Sequence, residues 1–141
     1  MELEIPTSLD QWNENGRNYL PGLLGMTFMK VEPDEIVALL KVETKVRSWN
    51  GFLHAGSVVS LADTCCGYGA VANLPEGSAG FTTAELKSNF ISTVNQGEVR
   101  CVAKPLHLGR STQVWDATVS SEQTEKVLAY FRCTQMILWP K

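Results

Sequence analysis

The chain has 141 residues, 44% of them hydrophobic, which suits one globular domain with a modest buried core. Its formal net charge of −3, with lysine and arginine dispersed, lacks the basic footprint of a nucleic-acid binder. No apolar run reaches the ~18 residues of a membrane span and no early run is framed as a secretion signal, so the expected location is cytoplasmic. The cysteines Cys65, Cys66, Cys101 and Cys133 lack metal-ligand spacing and read as small hydrophobes in a reducing compartment, with no metal expected.

In chain order, Leu9 to Tyr19 predicts a short helix with Leu9, Trp12 and Tyr19 on one stripe, weakened by Gly16 and ended by Pro21. Gly25–Val31 and Glu35–Val42 are β-rich and joined by Glu32-Pro33-Asp34, which predicts a hairpin. A second helix is expected from about His54 to Ala72, kept slender by Ala55, Gly56, Ala62, Gly67, Gly69, Ala70 and Ala72, as if pressed against a curved sheet. Beyond the break at residues 73–77, strands are expected at Gly80–Ser92, Gly97–Leu108, Ser111–Val119 and Val127–Leu138, with a turn at Glu122–Glu125. One substantial helix among long antiparallel strands predicts an α+β domain, residues 1–141, whose sheet wraps that helix. There is no internal repeat or linker.

The most informative stretch is Ser48 to Asp63. A Gly-punctuated turn carrying His54 opens into the helix, and the free N–H groups of a helix N-terminus favour a developing negative charge. Asp63 shares that helix with Val58, Leu61, Ala62, Cys65 and Cys66, an apolar setting in which a carboxylate suggests chemistry. Base and oxyanion donor are expected close together.

Gly51-x-x-His54-Ala55-Gly56 followed by Leu61-Ala62-Asp63 resembles the signature of the hotdog-fold acyl-CoA thioesterases of the phenylacetate-degradation and hydroxybenzoyl-CoA type. Glu85-Leu86-Lys87-Ser88-Asn89-Phe90, Lys104-Pro105-Leu106-His107-Leu108-Gly109-Arg110 and Gln113-Val114-Trp115 extend the resemblance over residues 22–138. It implies an antiparallel sheet around one long helix, a homodimer pairing edge to edge with active sites at its interface, and a possible dimer of dimers. It also implies hydrolysis of acyl-CoA or acyl-carrier thioesters without a cofactor, coenzyme A being part of the substrate.

Carried onto this chain, the resemblance makes Asp63 general base or nucleophile and the Ala55 N–H the oxyanion donor, with Ala55 standing where most relatives have Gly. His54 shapes the turn or contacts the thioester. Relatives place Asn or Gln six residues before the His; here that position is Ser48, and Asn50 offers an amide two residues on or simply forms the turn. Thr83 aligns with a hydroxyl that orients water across the dimer, whereas Thr82 falls on the other strand face. Gly67 replaces a Ser or Thr of relatives. Gly56 and the turn Gly109-Arg110-Ser111-Thr112 are assigned to substrate and coenzyme A, Arg110 by paired hydrogen bonds to phosphate, with Lys104 and His107 as weaker candidates. Tyr19, Leu23, Leu24 and Tyr68 are the acyl-pocket candidates. Two rival readings are a noncatalytic acyl-CoA-binding module and a hotdog hydratase or dehydratase; against the latter, His54 and Asp63 lie too far apart on one helix for a dyad within a protomer.

Overall fold

The structure, a computed structural model, describes residues 3–141. Six antiparallel strands form one sheet: β1 (Met26–Glu32), β2 (Glu35–Lys41), β3 (Gly80–Phe90), β4 (Glu98–Leu108), β5 (Thr112–Ser121) and β6 (Val127–Leu138), in the order β1-β2-β4-β5-β6-β3. Helix α3 (Ala55–Ala72, 18 residues) packs against all six strands. The sheet's alternating strands aim one set of side chains at this helix. On β5 the buried set is Gln113, Trp115, Ala117, Val119 and Ser121, and on β6 it includes Phe131, Cys133, Gln135 and Ile137. Small residues let α3 approach: a Cβ at Gly69 would overlap the fully buried Trp115 ring. The four cysteines are free and buried in this core, which agrees with reading them as small hydrophobes.

Before the sheet the chain forms two helices rather than one, α1 (Leu9–Gly16) and α2 (Leu20–Leu24). Pro21 does not end a helix; it sits in the first turn of α2, where its missing N–H costs nothing. The expected stripe fails accordingly: Trp12 is buried, but Leu9 is exposed and Tyr19 is 72% exposed beyond α1. Gly25 caps α2 in the left-handed conformation (φ 82) instead of opening β1. A 3₁₀ turn at Thr44–Val46, which carries no periodic signal, leads into the loop before α3.

The two sheet edges are treated differently. At β1, the Asn13 side chain imitates a neighbouring strand: Oδ1 accepts from Phe28 N–H at 2.8 Å and Nδ2 donates to Phe28 C=O at 3.0 Å, so α1 covers that border. At β3 no element covers the outer side among the described residues, and Thr82, Ala84, Glu85, Leu86, Lys87, Asn89 and Phe90 are all exposed. β3 thus lies at a border of the sheet.

Candidate active site

The loop before α3 is built by backbone hydrogen bonds. Ser48 N–H donates to Phe52 C=O (2.8 Å), Gly51 N–H to Ser48 C=O (2.9 Å), and Arg47 bridges Leu53, a tight reversal that needs the positive φ of Gly51 (91°). Asn50 is exposed and its Oδ1 accepts from Phe52 N–H at 3.1 Å, so it acts locally as a turn former. Ser48 is half-buried, and its hydroxyl makes no hydrogen bond among the described residues.

His54 is the N-cap of α3. It is exposed, and its Nδ1 accepts from Gly56 N–H at 2.7 Å. The His54 carbonyl takes the N–H groups of Ser57 and Val58. The Gly56 amide is therefore occupied, while the exposed Ala55 N–H, first of the helix, has no acceptor among the described residues. That single unspent donor at the positive end of an 18-residue helix is where an anionic oxygen would be met.

Asp63 is half-buried on α3. Its Oδ1 is sealed from solvent without a hydrogen-bond partner among the described residues, and burial pushes the carboxyl above the usual aspartate range, with the nearby Thr83 hydroxyl pulling the other way. Packing explains why these two meet. Gly67 faces the Phe81 ring; Asp63 lies one helical turn before Gly67 and Thr83 two strand residues after Phe81, so the two contacts are met as α3 and β3 are followed in opposite directions. Thr83 points inward and donates to Gln135 Oε1 at 2.8 Å, whereas Thr82 is exposed on the other face.

Within one chain the pieces are only partly united. Asp63 and Thr83 come together, but Ala55 lies eight residues up the helix from Asp63, about 12 Å of rise. The close approach of base and oxyanion donor expected from the sequence is therefore not made inside a protomer. The Gly109–Thr112 turn is at the opposite end of α3 from Ala55, since Gln113 Nε2 donates to Asn73 C=O just past the helix. There Gly109 N–H donates to Thr112 C=O, the His107 ring crowds Gly109, and Ser111 C=O accepts from Ile137 N–H. The Arg110 guanidinium lies 4.1 Å over the Trp139 ring, whose Nε1 donates to Arg110 C=O at 3.2 Å, so the cation rests on the ring while remaining exposed. Of the acyl-pocket candidates, Tyr68 stacks on Phe28 (4.3 Å) beside Trp12 (5.1 Å) and Leu24 packs on the core, but Tyr19 and Leu23 are exposed.

Sequence reasoning passed over two polar residues. Gln113 and Gln135 are both 0% exposed, and β-register places Thr83, Gln135 and Gln113 in one row across β3, β6 and β5. The signal was present: each glutamine occupies the inward phase of a strand whose other inward residues are mostly apolar. Trp139 beneath Arg110 gave no comparable sign.

Residues 50–128 match the family model of the thioesterase superfamily. Among curated relatives, the 1,4-dihydroxy-2-naphthoyl-CoA hydrolase of Listeria monocytogenes is 34% identical, covering 79% of this chain and 89% of its own. The Escherichia coli enzyme of the same name is 31% identical, covering 82% and 85%. Among solved structures, a mutant thioesterase from Pseudomonas aeruginosa superposes with a TM-score of 0.88 at 27% identity, covering 96% of each chain. A Haemophilus influenzae thioesterase gives 0.86 at 27%, covering 98% and 95%.

Proposed function

The chain belongs to the thioesterase superfamily and is a thioester hydrolase of the hotdog type, and from this premise we propose that it cleaves acyl-CoA thioesters with Asp63 as base or nucleophile and the Ala55 amide as oxyanion donor. The observation that carries the reading is the Asp63 carboxylate, half-buried in an apolar helix with one oxygen left unpaired. A carboxylate so desolvated is a stronger base and nucleophile than one in water. It either takes a proton from an attacking water or adds to the carbonyl to form a mixed anhydride that water then opens. As the carbonyl oxygen gains charge, the Ala55 N–H bond to it strengthens, and the tetrahedral intermediate collapses by expelling the coenzyme A thiolate. No metal or cofactor enters this scheme.

In this reading the sheet curls around α3, and two chains pair β3 to β3 about a two-fold axis. One observed feature supports that assembly, and two consequences would follow from it. β3 is the uncovered border and is centred on Glu85. Antiparallel pairing about that centre sets Thr83 opposite the partner's Lys87 level, about four strand residues or 13 Å along, which matches the rise separating Asp63 from Ala55. The same rotation carries the Arg110 turn of one chain toward the α3 N-terminus of the other, where it would hold the phosphates of coenzyme A. Two relatives are named for hydrolysis of 1,4-dihydroxy-2-naphthoyl-CoA, and on that likeness an aromatic acyl group is the proposed substrate class.

The test is free-thiol release from benzoyl-, naphthoyl- and straight-chain acyl-CoA. Loss of turnover in Asp63→Asn with retained substrate binding is expected, and full turnover in that variant would remove Asp63 from the mechanism. The shared site has its own test. Mixing inactive Ala55→Pro and Asp63→Asn chains should restore about a quarter of wild-type activity, because half the re-formed dimers would carry one intact site. No recovery after verified subunit exchange would place each site within one chain.

A further inference from the structure

We propose that Gln135 is a positioning residue for the hydrolysis: by accepting the Thr83 proton, it keeps the Thr83 oxygen facing Asp63 as a hydrogen-bond acceptor. This rests on the reading of Asp63 as the base.

Gln135 is wholly buried on β6, between Thr83 on β3 and Gln113 on β5. Its face of the strand is otherwise Phe131, Cys133 and Ile137, so an apolar residue would pack there without the cost of burying an amide. The amide is instead oriented at both ends. Oε1 accepts from Thr83 Oγ1 at 2.8 Å, and Nε2 donates to Cys133 Sγ at 3.5 Å. A hydroxyl has one proton. Given to Gln135, it is withheld from Asp63, whose Oδ1 is left without a donor.

Two consequences follow for catalysis. The anionic form of Asp63 is left with only a weak pull from the Thr83 hydroxyl, so burial prevails and the carboxyl stays above the usual aspartate range. The Thr83 lone pairs remain free to accept from the attacking water, or from the Asp63 carboxyl once it has taken that water's proton. No charge competes for this arrangement among the described residues. The groups on this side are Thr83 from β3, Cys133 and Gln135 from β6, Gln113 from β5, Cys101 from β4, and Cys66 and Tyr68 on α3 itself. β1 and β2 turn apolar side chains such as Phe28, Ile36 and Leu40 inward. The charged residues of β3 and β6 take the opposite face, where Glu85 bonds Thr134 and Lys87 pairs in register with Arg132.

The experiment is the pH profile of kcat/KM for wild type, Gln135→Met, Gln135→Asn, Thr83→Val and the Gln135→Met, Thr83→Val double variant, with thermal unfolding as a check of folding. Asparagine is too short to reach Thr83, so it repeats the test if methionine perturbs the core. Freed from Gln135, the Thr83 hydroxyl donates to Asp63, and the acid limb is expected to move to lower pH by about one unit. In the Thr83→Val background the same substitution should leave the limb in place, which a purely packing role for Gln135 would not explain. An acid limb that stays or rises in both single variants, or shifts equally without the Thr83 hydroxyl, overturns the proposal. Failure of the underlying reading shows separately, as turnover retained by Asp63→Asn.

Discussion

Replacing Ala55 by proline deletes one hydrogen-bond donor and almost nothing else. Ala55 is the first residue of α3, and its N–H has no acceptor among the described residues, so no hydrogen bond within them is broken. The residue before it is already in the conformation proline imposes on its predecessor: His54 has φ −68 and ψ 136. Stability should therefore change by no more than about 1 kcal/mol in either direction. Activity should not be spared. Loss of one oxyanion donor costs about 100- to 1,000-fold in kcat, roughly 2.7–4 kcal/mol of transition-state stabilisation. The assay is thiol release at saturating acyl-CoA beside a thermal melt, with Ala55→Gly as the control that removes the methyl and keeps the amide. A folded Ala55→Pro enzyme turning over within a few-fold of wild type would refute the oxyanion assignment. A variant that no longer folds would refute the claim that this N–H is unspent.

Burial holds the Asp63 carboxyl above the ordinary aspartate value, so kcat/KM should fall on acidification through a limb lying above that value, read from the pH–rate profile. The stability consequence has the opposite sense: the folded chain binds this proton more tightly than the unfolded chain, so the stabilising contribution is complete below the unfolded pKa and fades as pH rises through the folded one. Asp63→Asn should thus melt higher than wild type at neutral pH, with the gain vanishing below about pH 4. Arg110→Ala should raise KM for CoA esters with little change in kcat, and an equal effect on pantetheine esters lacking the nucleotide would remove the phosphate role. Gly69→Ala should cost about 1–3 kcal/mol in denaturant unfolding, because the new methyl overlaps the Trp115 ring and outweighs the helix propensity gained; Gly67→Ala, which meets only the Phe81 rim at 3.3 Å, should be far milder.

Local chemistry made much of this protein legible. Strand-like runs between turn signals marked β5 and β6, a run of small residues marked α3, and the positions of His54, Ala55 and Asp63 along it followed from counting. The errors arose where one residue type serves two ends of an element. Pro21 was read as a stop and is a start, because proline suits the first turn of a helix as well as the residue after one. The distinction depends on whether Leu20–Leu24 finds something to pack on, and α2 packs against α3 and β1.

What the order of amino acids determined by itself was the kind of each element and the groups it could offer: a carboxylate among apolar neighbours, a helix start, a turn bearing arginine. The tertiary structure decided which of those groups meet. Strand order put β3 at an uncovered edge, antiparallel packing set Thr83 beside Asp63, and register brought Gln135 to the Thr83 hydroxyl 52 positions away in the chain. Periodicity is a short-range property of the backbone, whereas pairing between distant strands is chosen by the burial and hydrogen bonding of the whole chain at once.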